Sequence, residues 1–182
     1  MDQNVISQWV EAHREEFLED VKALVRIRSD KGEARPGAPF GEGPNNALTK
    51  ALDIAAGYGF KTTNYDGYVG TVDYLPENDH HLDILSHMDC VPVADGWTVT
   101  GPFDPIVKDG KIYGRGTADD KGPGVAALYA LRCLKELNVP LKHNVRLIWG
   151  TDEECGSGDI AHYYAQEPEA QFTFSPDADY PL

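Results

Sequence analysis

Three short apolar runs, each closing on residues that bind cations well, constrain this chain more than any other feature. Leu82-Asp83-Ile84-Leu85-Ser86 ends at His87, and Asn144-Val145-Arg146-Leu147-Ile148-Trp149-Gly150 ends at Thr151-Asp152-Glu153-Glu154. Gln171-Phe172-Thr173-Phe174-Ser175 ends at Pro176-Asp177. A helical pattern over residues 122–137, with Val125, Leu128, Leu131 and Leu134 apolar, precedes the second run, and another over residues 157–166 precedes the third. This β-α-β-α-β order predicts an α/β fold, a mostly parallel, mixed sheet with helices on both faces. In such sheets ligands bind beyond the carboxyl ends of the strands, so a single edge receives His87 and the acids together.

Upstream, Ile6, Trp9, Val10, Phe17, Val21, Leu24, Val25 and Ile27 recur at helical spacing and predict one helix of about 25 residues. Residues 29–45, rich in Gly, Pro and charge, read as a loop. A second helix follows, with Ala47, Leu48, Ala51, Leu52, Ile54 and Ala55 apolar and Gly57 and Gly59 as its stop. Residues 60–65 and 68–75, separated by Asp66-Gly67, give a hairpin signal.

Composition narrows the function. Thirty acidic residues against 16 basic ones give a formal charge of −14, which repels phosphate backbones and argues against nucleic-acid partners. The same excess also serves solubility. No run approaches the roughly 18 apolar residues of a membrane span, and Met1–Val5 shows no basic region leading into an apolar one. Cys90, Cys133 and Cys155 are too few and too scattered for a disulfide framework. A cytoplasmic location is expected.

Four segments carry the chemistry, and each has a plainer reading beside it. In Ser86-His87-Met88-Asp89, the imidazole suits zinc and Asp89 is close enough to accept its other N–H, although a strand-end histidine can also be structural. Gly114-Arg115-Gly116-Thr117-Ala118-Asp119-Asp120-Lys121-Gly122 matches neither Gly-rich phosphate signature. Its aspartates either cap a helix or supply the carboxylate that two neighbouring cations need between them. In Thr151-Asp152-Glu153-Glu154-Cys155-Gly156-Ser157, the consecutive acids form a solvated turn, or Glu154 ligates a metal while Glu153 serves as general base. In Ser175-Pro176-Asp177-Ala178-Asp179, Asp177 can close a coordination shell. No Gly-x-Ser-x-Gly elbow is present, so serine hydrolysis is not expected.

Taken together, His87-Met88-Asp89, Gly114-Arg115-Gly116 with Asp119-Asp120-Lys121-Gly122, Glu153-Glu154 with Gly156-Ser157, and Pro176-Asp177-Ala178 resemble the motifs of the co-catalytic zinc metallopeptidases. That family includes aminoacylases, glutamate carboxypeptidases and carnosinase-like dipeptidases. Pro39-Phe40-Gly41-Glu42-Gly43-Pro44, Trp97-Thr98-Val99-Thr100-Gly101-Pro102-Phe103 and the stretch from Phe174 to Pro181 are similar to its PepV-type bacterial dipeptidases. The resemblance implies two zinc ions, with manganese or cobalt as substitutes. His87 and Asp177 would hold one and Glu154 the other, with Asp119 bridging, Asp89 orienting His87, and Glu153 as base. It also implies a cis peptide between Asp119 and Asp120.

The family has a further histidine ligand and a lid domain later in its chains. Residues 1–182 are therefore expected to form the N-terminal portion of a catalytic domain, without lid or C-terminal part. The expected activity is hydrolysis of small dipeptides as part of a longer enzyme, with this chain alone weakly active or inactive. Deacylation, carboxypeptidase action and a non-catalytic domain on the same fold are the alternatives. An open sheet edge also leads us to expect self-association.

Overall fold

The computed structural model describes residues 2–178. Two helices, α1 (Gln3–Ala12) and α2 (Arg14–Val25), stand where one was expected. The break is at His13, whose φ and ψ are −103° and 6°. Its ring stacks on Trp9 at 4.0 Å, and Nδ1 lies 2.7 Å from the Trp9 carbonyl oxygen. A side chain competing for the helix's own carbonyl is an established cause of a kink.

Helix α3 (Glu42–Gly57) starts inside the expected loop. Pro44 is no obstacle there, because it sits in the first turn, where backbone N–H groups have no partner within the helix. The hairpin forms as expected from β1 (Lys61–Tyr65) and β2 (Val69–Asp73), with Asp66 and Gly67 both at positive φ. Strand β3 (His80–His87) follows. A second, unanticipated hairpin pairs β4 (Ile106–Lys108) with β5 (Lys111–Tyr113) through Asp109-Gly110, again both at positive φ. Next come α4 (Lys121–Glu136), β6 (Asn144–Gly150), a 3-10 turn (Glu153–Cys155), α5 (Gly158–Tyr164) and β7 (Phe172–Phe174).

The main sheet has the order β1-β2-β6-β3-β7. Strands β6, β3 and β7 run parallel, while β1 and β2 attach antiparallel beyond β6. The mixed sheet expected from the sequence is thus present, and its parallel part bears the candidate site.

Alternation along the central strands builds a core on each face. Ile84, Leu147 and Trp149 join Leu24, Leu48 and Leu128 from the helices on one side, whereas Leu85 and Ile148 meet Tyr163 of α5 on the other. Burial of each large apolar side chain contributes about 1.5–3 kcal/mol. Helix α3 approaches β2 so closely that a Cβ on Gly70 would stand 2.7 Å from Leu48 Cδ1. The order of strands reverses at β3, which has β6 on one side and β7 on the other. That reversal opens a crevice beyond the carboxyl ends.

Candidate active site

His87 closes β3 and is 2% exposed. Its Nδ1 lies 3.2 Å from Asp89 Oδ1 and 3.2 Å from the Asp89 carbonyl oxygen, contacts that call for a proton on Nδ1. Nε2 then faces Asp119 Oδ1 at 3.1 Å, Asp177 Oδ2 at 3.6 Å and Glu153 Oε2 at 3.9 Å. The Asp119 approach lacks hydrogen-bond geometry, so Nε2 is buried and unpaired. A lone pair surrounded by carboxylates is repulsive unless a proton or a metal cation lies between them. Burial alone would lower the His87 pKa, but Asp89, then Asp120 and Asp119, outweigh it and carry the value to about 10.

Ligand atoms of His87, Asp119 and Asp177 lie within 4.8 Å of one another. One imidazole nitrogen and two carboxylate oxygens make a donor set for zinc or a neighbouring divalent ion. The orphaned Nε2 and this convergence fit a metal centre. Glu154 stands outside the trio, with Oε1 buried and unpaired.

The Gly-rich segment delivers Asp119 through a tight turn into α4. A Cβ on Gly122 would fall 2.0 Å from the Thr117 carbonyl oxygen, so only glycine fits there. The Asp119–Asp120 peptide is cis, as the resemblance implies. Asp120 occupies the N-cap position without making a capping bond, which disposes of the capping reading for that side chain. It turns inward instead, and its Oδ2 accepts the His87 backbone N–H at 3.3 Å. Burial pushes the Asp120 pKa up to about 7, opposed by the Ser86 hydroxyl and by His87. Lys121 is likewise buried and donates to the carbonyls of Leu24 and Ile27 at 3.1 and 2.8 Å. Burial lowers its pKa to about 8.

The acidic turn after β6 is not simply solvated. Asp152 is 4% exposed and takes a 2.6 Å hydrogen bond from Lys31, which supplies the positive partner that consecutive acids require. Asp159 is fully buried and accepts the backbone N–H groups of Thr151, Asp152 and Ile160 at 2.5, 2.9 and 2.7 Å. Asp89 reaches across to accept from Glu153 N–H at 3.3 Å and Glu154 N–H at 3.1 Å. One carboxylate therefore fixes both the imidazole and the Glu153-Glu154 backbone. The pKa values of both glutamates are raised, first by burial and then by neighbouring acids, with His87 opposing.

Sequence reasoning assigned no role to Lys121 or Asp159, offered Asp120 only as a helix cap or bridging carboxylate, and read Asp152 only as part of an acidic turn. The signal for Asp120 and Lys121 was their adjacency to Asp119. Asp159 gave none, since an acid in a first helical turn is unremarkable on any exposed helix. The Asp179-Tyr180-Pro181 part of the similarity lies outside the described residues.

Residues 84–180 match the profile of Peptidase family M20/M25/M40. The chain belongs to this family. Its M20 membership implies a metal cofactor, in keeping with the donor trio. YtjP of Bacillus subtilis is 43% identical over 171 residues, covering 93% of this chain and 36% of its own length. The Beta-Ala-Xaa dipeptidase of Lactobacillus delbrueckii subsp. lactis is 40% identical over 185 residues, covering 100% of this chain and 39% of its own length. The M20 chain thus spans well under half of these relatives. Human carnosine dipeptidase 1 shares the fold, with a TM-score of 0.78 at 24% identity over 94% of this chain and 40% of its own. The metallo-carboxypeptidase Sso-CP2 of Sulfolobus solfataricus shares it with a TM-score of 0.72, also at 24% identity, over 90% of this chain and 37% of its own.

Proposed function

We propose that this chain is the N-terminal portion of the catalytic domain of a dipeptidase with two zinc ions, manganese or cobalt serving as substitutes. The observation that carries the reading is the buried, unpaired His87 Nε2 converging with Asp119 and Asp177, with Glu153 Oε2 at 3.9 Å. His87 and Asp177 would hold one ion and Glu154 the second, with Asp119 between them. When bound, such ions supply Lewis acidity to the scissile carbonyl and acidify the attacking water.

The protein's own groups do the rest. Asp89 keeps the proton on His87 Nδ1, which leaves Nε2 free as a donor. Glu153 takes the proton of the attacking water and returns it to the departing amine. Its raised pKa brings it closer to the range in which both transfers are efficient.

Dipeptides are the proposed substrate class, supported by the name of the Lactobacillus relative. Among the described residues no helix is long and apolar enough to cross a membrane, and all three cysteines are free. The free cysteines support the cytoplasm as the proposed location. The test is to titrate zinc into the metal-free chain and to assay dipeptide hydrolysis in a protein of the relatives' full length. Zinc binding that requires His87, together with metal-dependent dipeptide cleavage, is expected. Zinc binding indifferent to His87→Ala, or full activity under chelation, would overturn the proposal.

A further inference from the structure

Arg115 is conspicuous for what it does not touch. Arg14, Arg28, Arg35, Arg132 and Arg146 each face a carboxylate, and Arg26 is solvent-exposed. Arg115 is half-buried, its Nε is buried and unpaired, and it makes no ion pair among the described residues. In a chain with 30 acidic residues, that vacancy does not reflect a shortage of partners. A buried N–H without an acceptor is costly unless something arrives to accept it.

The surroundings are shaped to hold this group in place. The guanidinium lies over the Trp97 ring at 5.7 Å from its centre. Trp97 is 38% exposed, so its ring presents a face to an incoming ligand as well. The Arg115 backbone N–H donates to Pro102 at 2.7 Å, tying β5's outgoing chain to the loop that carries Trp97. Gly114 beside it is packed so closely that a Cβ would meet Val25 Cγ1 at 2.6 Å. Arg115 and Trp97 wall a cleft of about 380 Å³, which Thr98, Thr100 and Tyr113 also line. The Thr100 hydroxyl is engaged with the Asp104 carbonyl oxygen. Asp95 stands at the same cleft without pairing with the arginine.

We propose that the Trp97–Arg115 cleft is a carboxylate-binding site, and that its carboxylate is one carried by a peptide. A guanidinium beside an indole presents a planar fork of N–H donors that matches a carboxylate in two hydrogen bonds. Asp95 and the overall charge of −14 disfavour a doubly charged phosphate more than a singly charged carboxylate. Arg115 precedes Asp119 by four residues, so the cleft lies within roughly 14 Å of the catalytic edge along the chain. The peptide source rests on the proposed function; the carboxylate chemistry does not.

The experiment uses the chain as it stands, kept metal-free with chelator so that no turnover intervenes. Triglycine, triglycine C-terminal amide and succinate are titrated while the Arg115 Nε–H and Trp97 indole N–H resonances are followed by NMR. Both resonances should move with triglycine and not with the amide. Arg115→Gln should weaken triglycine binding more than about tenfold. Arg115→Lys, which keeps the charge but not the fork, should recover only part of it. Unchanged spectra elsewhere establish that the variants are folded, and Trp97→Leu gives a second variant that alters the wall but leaves the charge. Equal binding of the amide, or no movement with any of the three probes, would overturn the site. Movement with succinate alone would overturn the peptide source. Failure of zinc binding or hydrolysis would sink the functional reading and leave this titration untouched.

Discussion

His87 and Asp89 are each 2% exposed, whereas the Asp119 and Glu153 side chains are 52% and 49% exposed, yet all four serve one crevice. The buried half is anchored by a strand end and by contacts on every side-chain polar atom but His87 Nε2. The exposed half is carried on turns and faces carboxylates of like charge. Orientation is built into the first half, whereas the proposed metal would hold the second together. Removing a buried group should therefore disturb geometry, while removing an exposed one should disturb chemistry.

The largest effect should separate the two glutamates. In a protein of the relatives' full length, Glu153→Ala should lower dipeptide turnover about a hundred- to ten-thousandfold while zinc content stays near wild type. Glu154→Ala should lose zinc as well as activity. Metal analysis alongside the assay checks both, and loss of zinc from the Glu153 variant would make it a ligand instead.

On the buried side, Asp89→Ala should weaken zinc binding of this chain by about ten- to a hundredfold, although Asp89 is placed as no ligand. It would free the imidazole and leave the N–H groups of Glu153 and Glu154 without their acceptor. Competition against a zinc-responsive chelator reads the change, and an unchanged affinity would dissolve the contrast between halves.

A smaller effect concerns pH. In the metal-free chain the His87 pKa is raised above its ordinary 6.5 to about 10. A raised pKa contributes stability that is complete below about 6.5 and is lost as pH rises through about 10. Zinc must displace that proton, so its affinity should rise across the same window. Thermal melts with and without zinc should diverge as pH increases, by about 2.7 kcal/mol wherever free zinc is a hundred times its dissociation constant. Melts that stayed parallel would argue that zinc binds away from His87.

The smallest effect belongs to the sheet edge. Phe172 and Phe174 on β7 are 63% and 50% exposed, and this edge is proposed to drive self-association. Phe172→Lys with Phe174→Lys should shift light scattering toward the monomer without altering zinc uptake at His87.

Much of this arrangement is legible in the sequence because it follows period and punctuation. The three apolar runs are short, and each is stopped by its own polar residues, so the strand ends and the crevice can be read directly. Asp66-Gly67 announced its hairpin, and Asp109-Gly110 carried the same signal between strands too short for alternation to register. The break at His13 was hidden, because Ile6, Trp9, Phe17 and Val21 keep helical spacing across it. The roles of Asp120, Asp152 and Asp159 were equally hidden. Asp120 and Asp152 depend on partners brought from afar, His87 and Lys31, while Asp159 folds back onto backbone N–H groups of its own turn, and no side-chain pattern encodes either arrangement.

Strand β7 is three residues long, exposed throughout and, among the described residues, paired only with β3, and it brings Asp177 to His87. Loop closure must bring distant segments together before a cation can be gripped, and the cation in turn rewards that closure. Capture of the ion and docking of this last strand should therefore be one cooperative event. Hydrogen exchange at β7 would then act as a gauge of occupancy, slowing when the crevice fills and quickening when a chelator empties it.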